Sequence, residues 1–188
     1  MDVKITGIGY YLPDNIETSL ELSSKIDKSV DWIVSRTGVK QRYISTIDVD
    51  KMGAVAAKNA LKNHTTNPDL ILNASGVGKQ VIPDTSVFFQ KELGFDKIPS
   101  FSIHATCLSF LVALNVAANF IQQNSYKKIL IISSDRGTRG RNYNEPESAS
   151  LLGDAAAAVV VEKSDINEKS KIIDFNMKTY PEGSNLTE

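Results

Sequence analysis

Short apolar runs alternate with segments of helical periodicity along the chain. The predicted strands are residues 3–12, 69–75, 101–105, 128–134 and 155–162, with a further one at 172–178. The predicted helices are residues 20–26, 30–37, 51–64, 85–93 and 108–123. Strands separated by helices indicate an α/β layer with a mostly parallel sheet.

Three segments qualify this pattern. The helix at 108–123 has apolar residues on nearly every face, which predicts that it is buried. Residues 136–147 contain three arginines, two glycines and a proline, and they are predicted to form an excursion loop. Residues 180–188 also have the composition of a loop, and a chain that stops in a loop after a strand is expected to be incomplete.

Composition limits the classes of function. Charged residues make up 23% of the 188 residues, and the formal net charge is −1. Because the sequence has no run of Lys and Arg and no long apolar stretch, we predict neither nucleic-acid binding nor a membrane span. The N-terminus lacks the apolar core of a signal peptide, and the single cysteine excludes an internal disulfide. A cytoplasmic location is therefore expected.

Cys107, the single cysteine, is the main candidate for chemistry. It stands where the strand at 101–105 is predicted to lead directly into the helix at 108–123. At a helix start, unpaired N–H groups and the positive end of the helix dipole favour the thiolate, which is the reactive form of the side chain. Residue type alone leaves open a second interpretation, in which Cys107 is a small buried hydrophobe.

Two other residues carry polar groups at informative positions. Asp154 lies between Gly153 and a run of alanines, and we predict a turn aspartate that accepts hydrogen bonds from nearby N–H groups rather than a catalytic residue. His64 stands at the polar end of the helix at 51–64, and we predict that it is a solvated residue of the helix C-terminus.

Five strings, taken together, resemble the N-terminal half of a β-ketoacyl-acyl-carrier-protein synthase III, a condensing enzyme of the thiolase superfamily. They are, in chain order, Ile5-Thr-Gly-Ile-Gly-Tyr-Tyr-Leu-Pro13, Asp31-Trp-Ile-Val-Ser-Arg-Thr-Gly-Val-Lys-Gln-Arg-Tyr-Ile44, Pro83-Asp-Thr-Ser86 through Leu93-Gly94, Ala105-Thr-Cys-Leu-Ser-Phe110, and Leu152-Gly-Asp-Ala-Ala-Ala157. The resemblance covers essentially the whole chain. It implies one βαβαβαββ half of a thiolase-like fold, with a mixed five-stranded sheet and a buried central helix.

The resemblance also implies an acyltransferase. In that family the cysteine that matches Cys107 accepts an acyl group from a thioester. A malonyl thioester then loses CO2, and the carbanion attacks the acyl-enzyme to give a β-ketoacyl product, as in fatty acid or polyketide-type biosynthesis. Trp32 and Arg36 match residues that contact the nucleotide end of coenzyme A. From residue type alone they would be a half-buried aromatic and a solvated cation.

The implied ligands are all substrates or protein partners. The resemblance implies no metal and no permanently bound cofactor, with a coenzyme A or phosphopantetheine thioester as substrate. It implies an acyl-CoA or an acyl-carrier protein as donor, and a homodimer of the full-length enzyme. In the family the segment at Ile82-Pro83 approaches the partner subunit's acyl pocket, so Ile82 is a candidate gate for chain length.

The sequence departs from the family pattern at several points. His104 stands where the family usually has a small residue, and we expect it to pack near the site or at a subunit contact rather than to act on Cys107. Pro146, Glu147 and Ser148 occupy the region where well-known bacterial enzymes carry an arginine beside the adenine, and the nearest arginine is Arg141. This predicts a weakened coenzyme A contact or a carrier-protein donor. Gly-Asp-Ala in place of the commoner Gly-Asp-Gly indicates a divergent relative.

Family members are much longer, because two similar halves pack together to make the site. Residues 1–188 are therefore expected to be the nucleophile-bearing half, with the family's catalytic His and Asn in a C-terminal half that this chain lacks. We predict that the isolated chain has no condensing activity. Two alternatives remain, namely a non-catalytic thiolase-like assembly module and a divergent acyl-transfer enzyme that does not decarboxylate.

Overall fold

Strands and helices alternate over residues 1–185, which are the residues that the computed structural model describes. The strands in this range are β1 (Val3–Tyr11), β2 (Asn15–Thr18), β3 (Gln41–Ile44), β4 (Leu70–Asn73), β5 (Ser100–Ser102), β6 (Lys128–Arg136) and β7 (Asp154–Lys163). The α-helices are α1 (Ser19–Ile26), α2 (Val30–Thr37), α3 (Val49–Leu61), α4 (Thr85–Leu93), α5 (Ser109–Gln122) and α6 (Pro146–Ala149). No helix within residues 1–185 has both the length and the apolar character needed to cross a membrane.

The central sheet has the strand order β1–β7–β6–β4–β5. Strand β4 pairs in parallel with β5 and with β6, whereas β7 is antiparallel to both β6 and β1. The strands of this sheet and the helices between them follow the order βαβαβαββ. The predicted mixed five-stranded sheet is confirmed.

Alternate residues of the strands face opposite layers of helices. Leu72 and Ile131 pack with Ala117 of α5 on one face. Ile71 and Leu130 belong to the cluster formed with α3 and α4 on the other face. Because helices cover both faces of the sheet here, β4 and the first half of β6 consist largely of consecutive apolar residues. These apolar runs are the reason why both strands could be predicted from the sequence.

Helix α3 lies directly on β1 because two glycines of β1 have no side chain in the way. A Cβ at Gly7 would lie 2.1 Å from the carbonyl oxygen of Ala60, and one at Gly9 would lie 2.2 Å from that of Ala56. The same opening accommodates His64, whose Nε2 would be 3.0 Å from a Cβ at Gly7. The side chain of His64 is only 10% exposed, so the prediction of a solvated residue is wrong.

Two elements differ from the sequence-based prediction in kind. Strands β2 and β3 were not predicted; they form a separate antiparallel pair, with α1 and α2 between them in the chain. Conversely, the strand predicted at 172–178 is wrong. Ile172 exchanges two backbone hydrogen bonds with Met1, at 2.9 and 2.8 Å, but the residues after it run without a partner strand in the described chain.

Helix α5 is buried on one side only within residues 1–185. Its buried residues are Ser109, Ala113, Ala117, Ala118 and Ile121. Leu111 on another face is 54% exposed. The predicted buried helix is thus confirmed for the face that packs on the sheet, and most of the remaining residues of α5 are half-buried in this chain.

The remaining differences concern boundaries. Helix α3 starts at Val49, where Asp48 caps it, two residues before the predicted start. Strand β5 ends at Ser102 instead of residue 105. The predicted excursion loop contains a 3-10 turn, Gly137–Gly140, and leads into α6. The predicted loop at 180–188 includes a 3-10 turn, Pro181–Gly183, and its last three residues lie outside the described range.

Candidate active site

Cys107 lies in a single 3-10 turn, Thr106–Leu108, between β5 and α5. Helix α5 begins two residues later, at Ser109, so the thiol stands beside the N-terminal end of a 14-residue helix. The side chain of Cys107 is exposed in this chain. The expected position at the helix start is confirmed, whereas the alternative of a buried hydrophobe does not fit the exposed side chain.

The backbone before Cys107 is strained. Thr106 has a φ of +49°, a left-handed conformation that is rare for a β-branched residue and costs on the order of 1–3 kcal/mol. Ser109 holds this turn, because its Oγ accepts a hydrogen bond from the Ala105 N–H at 3.0 Å and donates one to the Thr106 carbonyl at 2.7 Å. The turn therefore presents Cys107 in one defined position.

A cavity of about 440 Å³ opens in front of the thiol. Cys107 and Phe110 line it from the side of α5, Gly76 and Val77 line it from the segment after β4, and Leu152 lines it from the segment before β7. This is the edge where the parallel strands β4 and β6 end, which is the usual place for ligands in α/β sheets.

Buried polar side chains join the ends of β4, β5 and β6. The Oδ1 of Asn73 accepts hydrogen bonds from the N–H and the hydroxyl of Ser75, and its Nδ2 donates to Ser102 Oγ at 2.8 Å. The Oγ of Ser75 accepts from the Ser134 N–H at 2.9 Å. Three strands are thereby fixed relative to one another. Our reading of the sequence missed this network, although polar residues at the end of an apolar run are a signal for it.

Asp135 is a second residue that the sequence analysis did not identify. Its side chain lines the same cavity, and its Oδ1 accepts a hydrogen bond from the Val77 N–H at 2.8 Å. This contact fixes the segment after β4 against the end of β6. Asp135 therefore helps to shape the wall opposite Cys107.

Asp154 is buried and acts as the predicted hydrogen-bonding residue. It accepts bonds from the Ser45 N–H at 2.7 Å, from the Thr138 N–H at 2.9 Å and from the Thr138 hydroxyl at 2.7 Å. The Nε of Arg136 lies 4.0 Å from the same carboxylate. These contacts tie the start of β7 to the loops after β3 and β6.

Trp32 and Arg36 lie together on α2 at a distance from the thiol cavity. Trp32 packs beside the buried Leu22, Ile33 and Ala149, and the Arg36 Cζ lies 5.2 Å from the centre of the Trp32 ring. A second cation, the Lys28 Nζ, lies 5.6 Å from the same ring. The structure thus brings Trp32 and Arg36 into contact with each other, and neither lines the cavity at Cys107.

Arg141 is occupied in a buried ion pair. Its Nη1 lies 2.5 Å from Glu17 Oε2, its Nη2 donates to the Leu152 carbonyl at 2.9 Å, and its side chain is 4% exposed. Lys25 pairs with the other oxygen of Glu17 at 2.6 Å. Burial alone would raise the pKa of Glu17, but the hydrogen bonds from Lys25 and Arg141 hold this pKa below its ordinary value. Both terminal nitrogens of the Arg141 guanidinium are therefore engaged with groups of this chain.

Arg42 is a further buried arginine in this region. Its Nη2 donates to the Ser150 carbonyl at 3.0 Å and approaches Ser19 Oγ at 3.4 Å. Burial lowers the pKa of this guanidinium, and the neighbouring positive charge of Arg141 acts in the same direction. Arg42 and Arg141 together hold two carbonyls of the segment that leads to Leu152.

His104 is exposed and does not line the cavity at Cys107. It lines a neighbouring cavity of about 620 Å³, together with Asp84 and Ser102. Asp84 caps α4, and although burial acts to raise its pKa, hydrogen bonds from Ser86 and Ser102 hold the pKa below its ordinary value. In the part of the chain that the structure describes, no three His, Cys, Asp or Glu side chains form a metal-binding group.

Comparison with known proteins defines the class. A sequence profile described as 3-Oxoacyl-[acyl-carrier-protein (ACP)] synthase III matches residues 101–181. The β-ketoacyl-[acyl-carrier-protein] synthase III of Aquifex aeolicus is 35% identical over 98% of this chain and 60% of its own length. Its crystal structure gives a TM-score of 0.82 at 34% identity, covering 87% of this chain and 54% of that one.

Two other solved structures of condensing enzymes also have a similar fold. The 3-oxoacyl-(acyl carrier protein) synthase III of Pseudomonas aeruginosa PAO1 has a TM-score of 0.87 at 26% identity, covering 94% of this chain and 55% of that one. The priming β-ketosynthase of the R1128 polyketide pathway has a TM-score of 0.82 at 29% identity, covering 88% and 51%. The chain has the thiolase-like α/β fold of these condensing enzymes.

Over the residues compared, the sequence is similar to the β-ketoacyl-[acyl-carrier-protein] synthase III family and the fold is the one that these enzymes share. The resemblance predicted from the sequence is confirmed. The chain spans between about half and 60% of the length of these relatives.

Proposed function

We propose that this chain transfers an acyl group from a thioester to Cys107, as the nucleophile-bearing half of a condensing enzyme. The observation that carries the proposal is the exposed Cys107, held by a strained turn at the start of α5 in front of a cavity of about 440 Å³. The similarity of the chain to β-ketoacyl-[acyl-carrier-protein] synthase III enzymes supports the same chemistry.

The acyl transfer replaces one thioester bond with another. The Cys107 thiolate attacks the carbonyl carbon of the donor thioester, the bond to the donor sulfur breaks, and the departing thiol takes up a proton. The N–H of Cys107 in the 3-10 turn, beside the N-terminal end of α5, is suited to stabilise the negative charge that develops on the carbonyl oxygen. The product is an acyl-cysteine and a free coenzyme A or phosphopantetheine thiol.

Condensation would follow in the complete assembly. A malonyl thioester loses CO2, its carbanion attacks the acyl-cysteine carbonyl, and the Cys107 thiolate is released with a β-ketoacyl product. The catalytic His and Asn that assist this step in the family are proposed to come from a second half that complements residues 1–188. We therefore expect no condensing activity from the isolated chain.

The proposal extends to the assembly and the cellular setting of the complete enzyme. We propose that the complete enzyme is a cytoplasmic homodimer that uses acyl-CoA or an acyl-carrier protein as donor, in fatty acid or polyketide-type biosynthesis. Val81 and Ile82 are 92% and 82% exposed, which supports a role for Ile82 as a chain-length gate at the partner subunit's acyl pocket.

The reactivity of the thiol tests the enzymatic proposal against a non-catalytic assembly module. We expect iodoacetamide to alkylate Cys107 at neutral pH about tenfold faster than it alkylates glutathione, because the exposed thiol is held in one defined position beside the positive end of α5. The same chain unfolded in guanidinium chloride is the control, and its rate should fall to that of glutathione. A folded chain that reacts no faster than glutathione would support the assembly module instead.

Variants of Trp32 and Arg36 test the proposed contact with the nucleotide. Trp32→Ala and Arg36→Ala are each expected to raise the acyl-CoA concentration for half-maximal acylation of Cys107 by about tenfold, because stacking and phosphate pairing are lost. Acylation by the matching acyl-pantetheine, which lacks the nucleotide, should be unchanged. Ser35→Ala on the same exposed side of α2 is the control. Equal losses with both donors would show that these residues do not contact the nucleotide.

A further inference from the structure

Asp135 carries the one charged side chain among the described residues that line the cavity in front of Cys107. Apart from Cys107 itself, the other lining residues are apolar, are glycines or carry a hydroxyl group, and none of them is Lys, Arg or His. Ser133 and Asp135 are alternate residues of β6, so their side chains lie on the same face of the strand, and both line this cavity. The wall opposite the thiol therefore presents a carboxylate.

The carboxylate of Asp135 is fixed by groups that carry no charge. Its Oδ1 accepts the hydrogen bond from the Val77 N–H at 2.8 Å, and its Oδ2 accepts one from the Ser133 hydroxyl at 3.4 Å. No Lys, Arg or His side chain within residues 1–185 forms an ion pair with it. The negative charge of Asp135 is therefore held in place without being neutralised.

Arg136 is the next residue of β6, but it does not offset this charge. Because successive side chains of a strand point to opposite faces, Arg136 lies on the other face from Asp135. There it donates to the Ser45 carbonyl at 2.8 Å, and its Nε lies 4.0 Å from the carboxylate of Asp154. Arg136 is thus engaged with other groups, and it does not line the cavity at Cys107.

Two opposing charges act on a ligand in this cavity. The positive end of α5, beside Cys107, is equivalent to about half a unit charge, whereas the carboxylate of Asp135 is a full unit of the opposite sign. Protein walls screen charges less than bulk water does. An anionic group that enters the cavity is therefore repelled by Asp135, and a neutral group of the same size meets no such penalty.

We propose that Asp135 is a specificity-determining residue that admits neutral acyl groups to Cys107 and disfavours acyl groups that carry a free carboxylate. This inference rests on the proposed acyl transfer to Cys107. The two substrates of the proposed reaction differ in this property, because a malonyl thioester carries a carboxylate and a fatty acyl donor does not. Asp135 thereby directs the acyl donor, rather than the malonyl thioester, to the thiol.

The first test compares two alkylating agents of similar size that differ in charge. Iodoacetamide is neutral and iodoacetate carries a carboxylate, and peptide mass spectrometry of the full chain measures the rate at which each modifies Cys107. We expect the ratio of the iodoacetamide rate to the iodoacetate rate at Cys107 to exceed the ratio at 2-mercaptoethanol, an uncharged thiol, by about tenfold.

Two matched variants assign the effect. Asp135→Asn removes the charge and keeps an acceptor for the Val77 N–H, and it should bring the ratio at Cys107 down to that of 2-mercaptoethanol. Asp14→Asn removes the same charge from an exposed position outside the cavity and should leave the ratio unchanged. If Asp135→Asn did not fold, the wild-type ratio would still decide, because a value equal to that of 2-mercaptoethanol would overturn the inference.

Acylation tests the same charge on thioesters. The chain is incubated with equimolar propionyl-CoA and malonyl-CoA, and malonyl adducts on Cys107 are counted together with any acetyl adduct that loss of CO2 leaves. We expect propionyl to exceed these adducts by at least about tenfold in the wild-type chain, and Asp135→Asn to reduce this preference by about tenfold.

The outcomes separate this inference from the proposed function. Ratios that stay unchanged in Asp135→Asn, or that change equally in Asp14→Asn, would overturn the role of Asp135 while leaving acyl transfer to Cys107 intact. A chain that discriminates between the two alkylating agents but takes an acyl group from neither thioester would show that the proposed acyl transfer is wrong, while the exclusion of anions by Asp135 would stand.

Discussion

Replacing Cys107 with serine is expected to lower the rate of acyl transfer by at least about 10³-fold. A serine hydroxyl stays protonated at neutral pH, and the residues that line the cavity include no histidine to act as its base. The measurement is the release of free coenzyme A from an acyl-CoA by the wild-type and variant chains.

Stability should be unaffected in this variant, because the side chain of Cys107 is exposed and makes no core contact. Equal midpoints of urea unfolding for the two chains would establish that the loss is chemical. A variant that still released coenzyme A at the wild-type rate would show that another group is the nucleophile.

Replacing Asp154 with alanine is expected to cost about 2–4 kcal/mol of the free energy of unfolding. The change leaves the buried N–H groups of Ser45 and Thr138 without their acceptor and removes the carboxylate that lies 4.0 Å from Arg136. Urea unfolding of the two chains, compared at equal slope, measures the difference.

The exposed Asp14 provides the control for this substitution. Asp14→Ala should change the free energy of unfolding by no more than about 0.5 kcal/mol. If Asp154→Ala were equally mild, Asp154 would not be the structural residue that its three hydrogen bonds imply.

The strands of the central sheet could be predicted because strands that are buried on both faces consist mainly of apolar residues. Residues 70–72 and 129–132 are buried on both faces and therefore form uninterrupted apolar runs. Strands β2 and β3 were not predictable in this way. Each has four residues with polar side chains among them, and they pair only because α1 and α2 return the chain to the same place.

At residues 172–178, by contrast, a strand was predicted that the structure does not contain. The composition of this segment suits a strand, but a strand needs a partner, and the segment meets the sheet only where Ile172 bonds to Met1. The prediction of a buried α5 is confirmed for one face only, for a related reason. Its sequence is apolar on several faces, and residues 1–185 supply a covering layer for one of them.

The candidate site was predictable where its signal is local. Cys107 could be placed at a helix start, and Trp32 and Arg36 could be placed on one helix four residues apart. The buried pair of Glu17 and Arg141 could not be predicted, because these residues are 124 positions apart and each looks like a solvated charge. For the same reason the sequence could not show that Arg141 donates a hydrogen bond to the Leu152 carbonyl.

The central claim is that Cys107 of this chain accepts an acyl group but does not complete a condensation alone. The most direct test is to incubate the chain with acetyl-CoA and then with a malonyl thioester, and to map the products by peptide mass spectrometry. We predict that one acetyl group accumulates on the peptide that contains Cys107 and persists, with no β-ketoacyl product. An unmodified Cys107, or formation of β-ketoacyl product by the chain alone, would contradict this account.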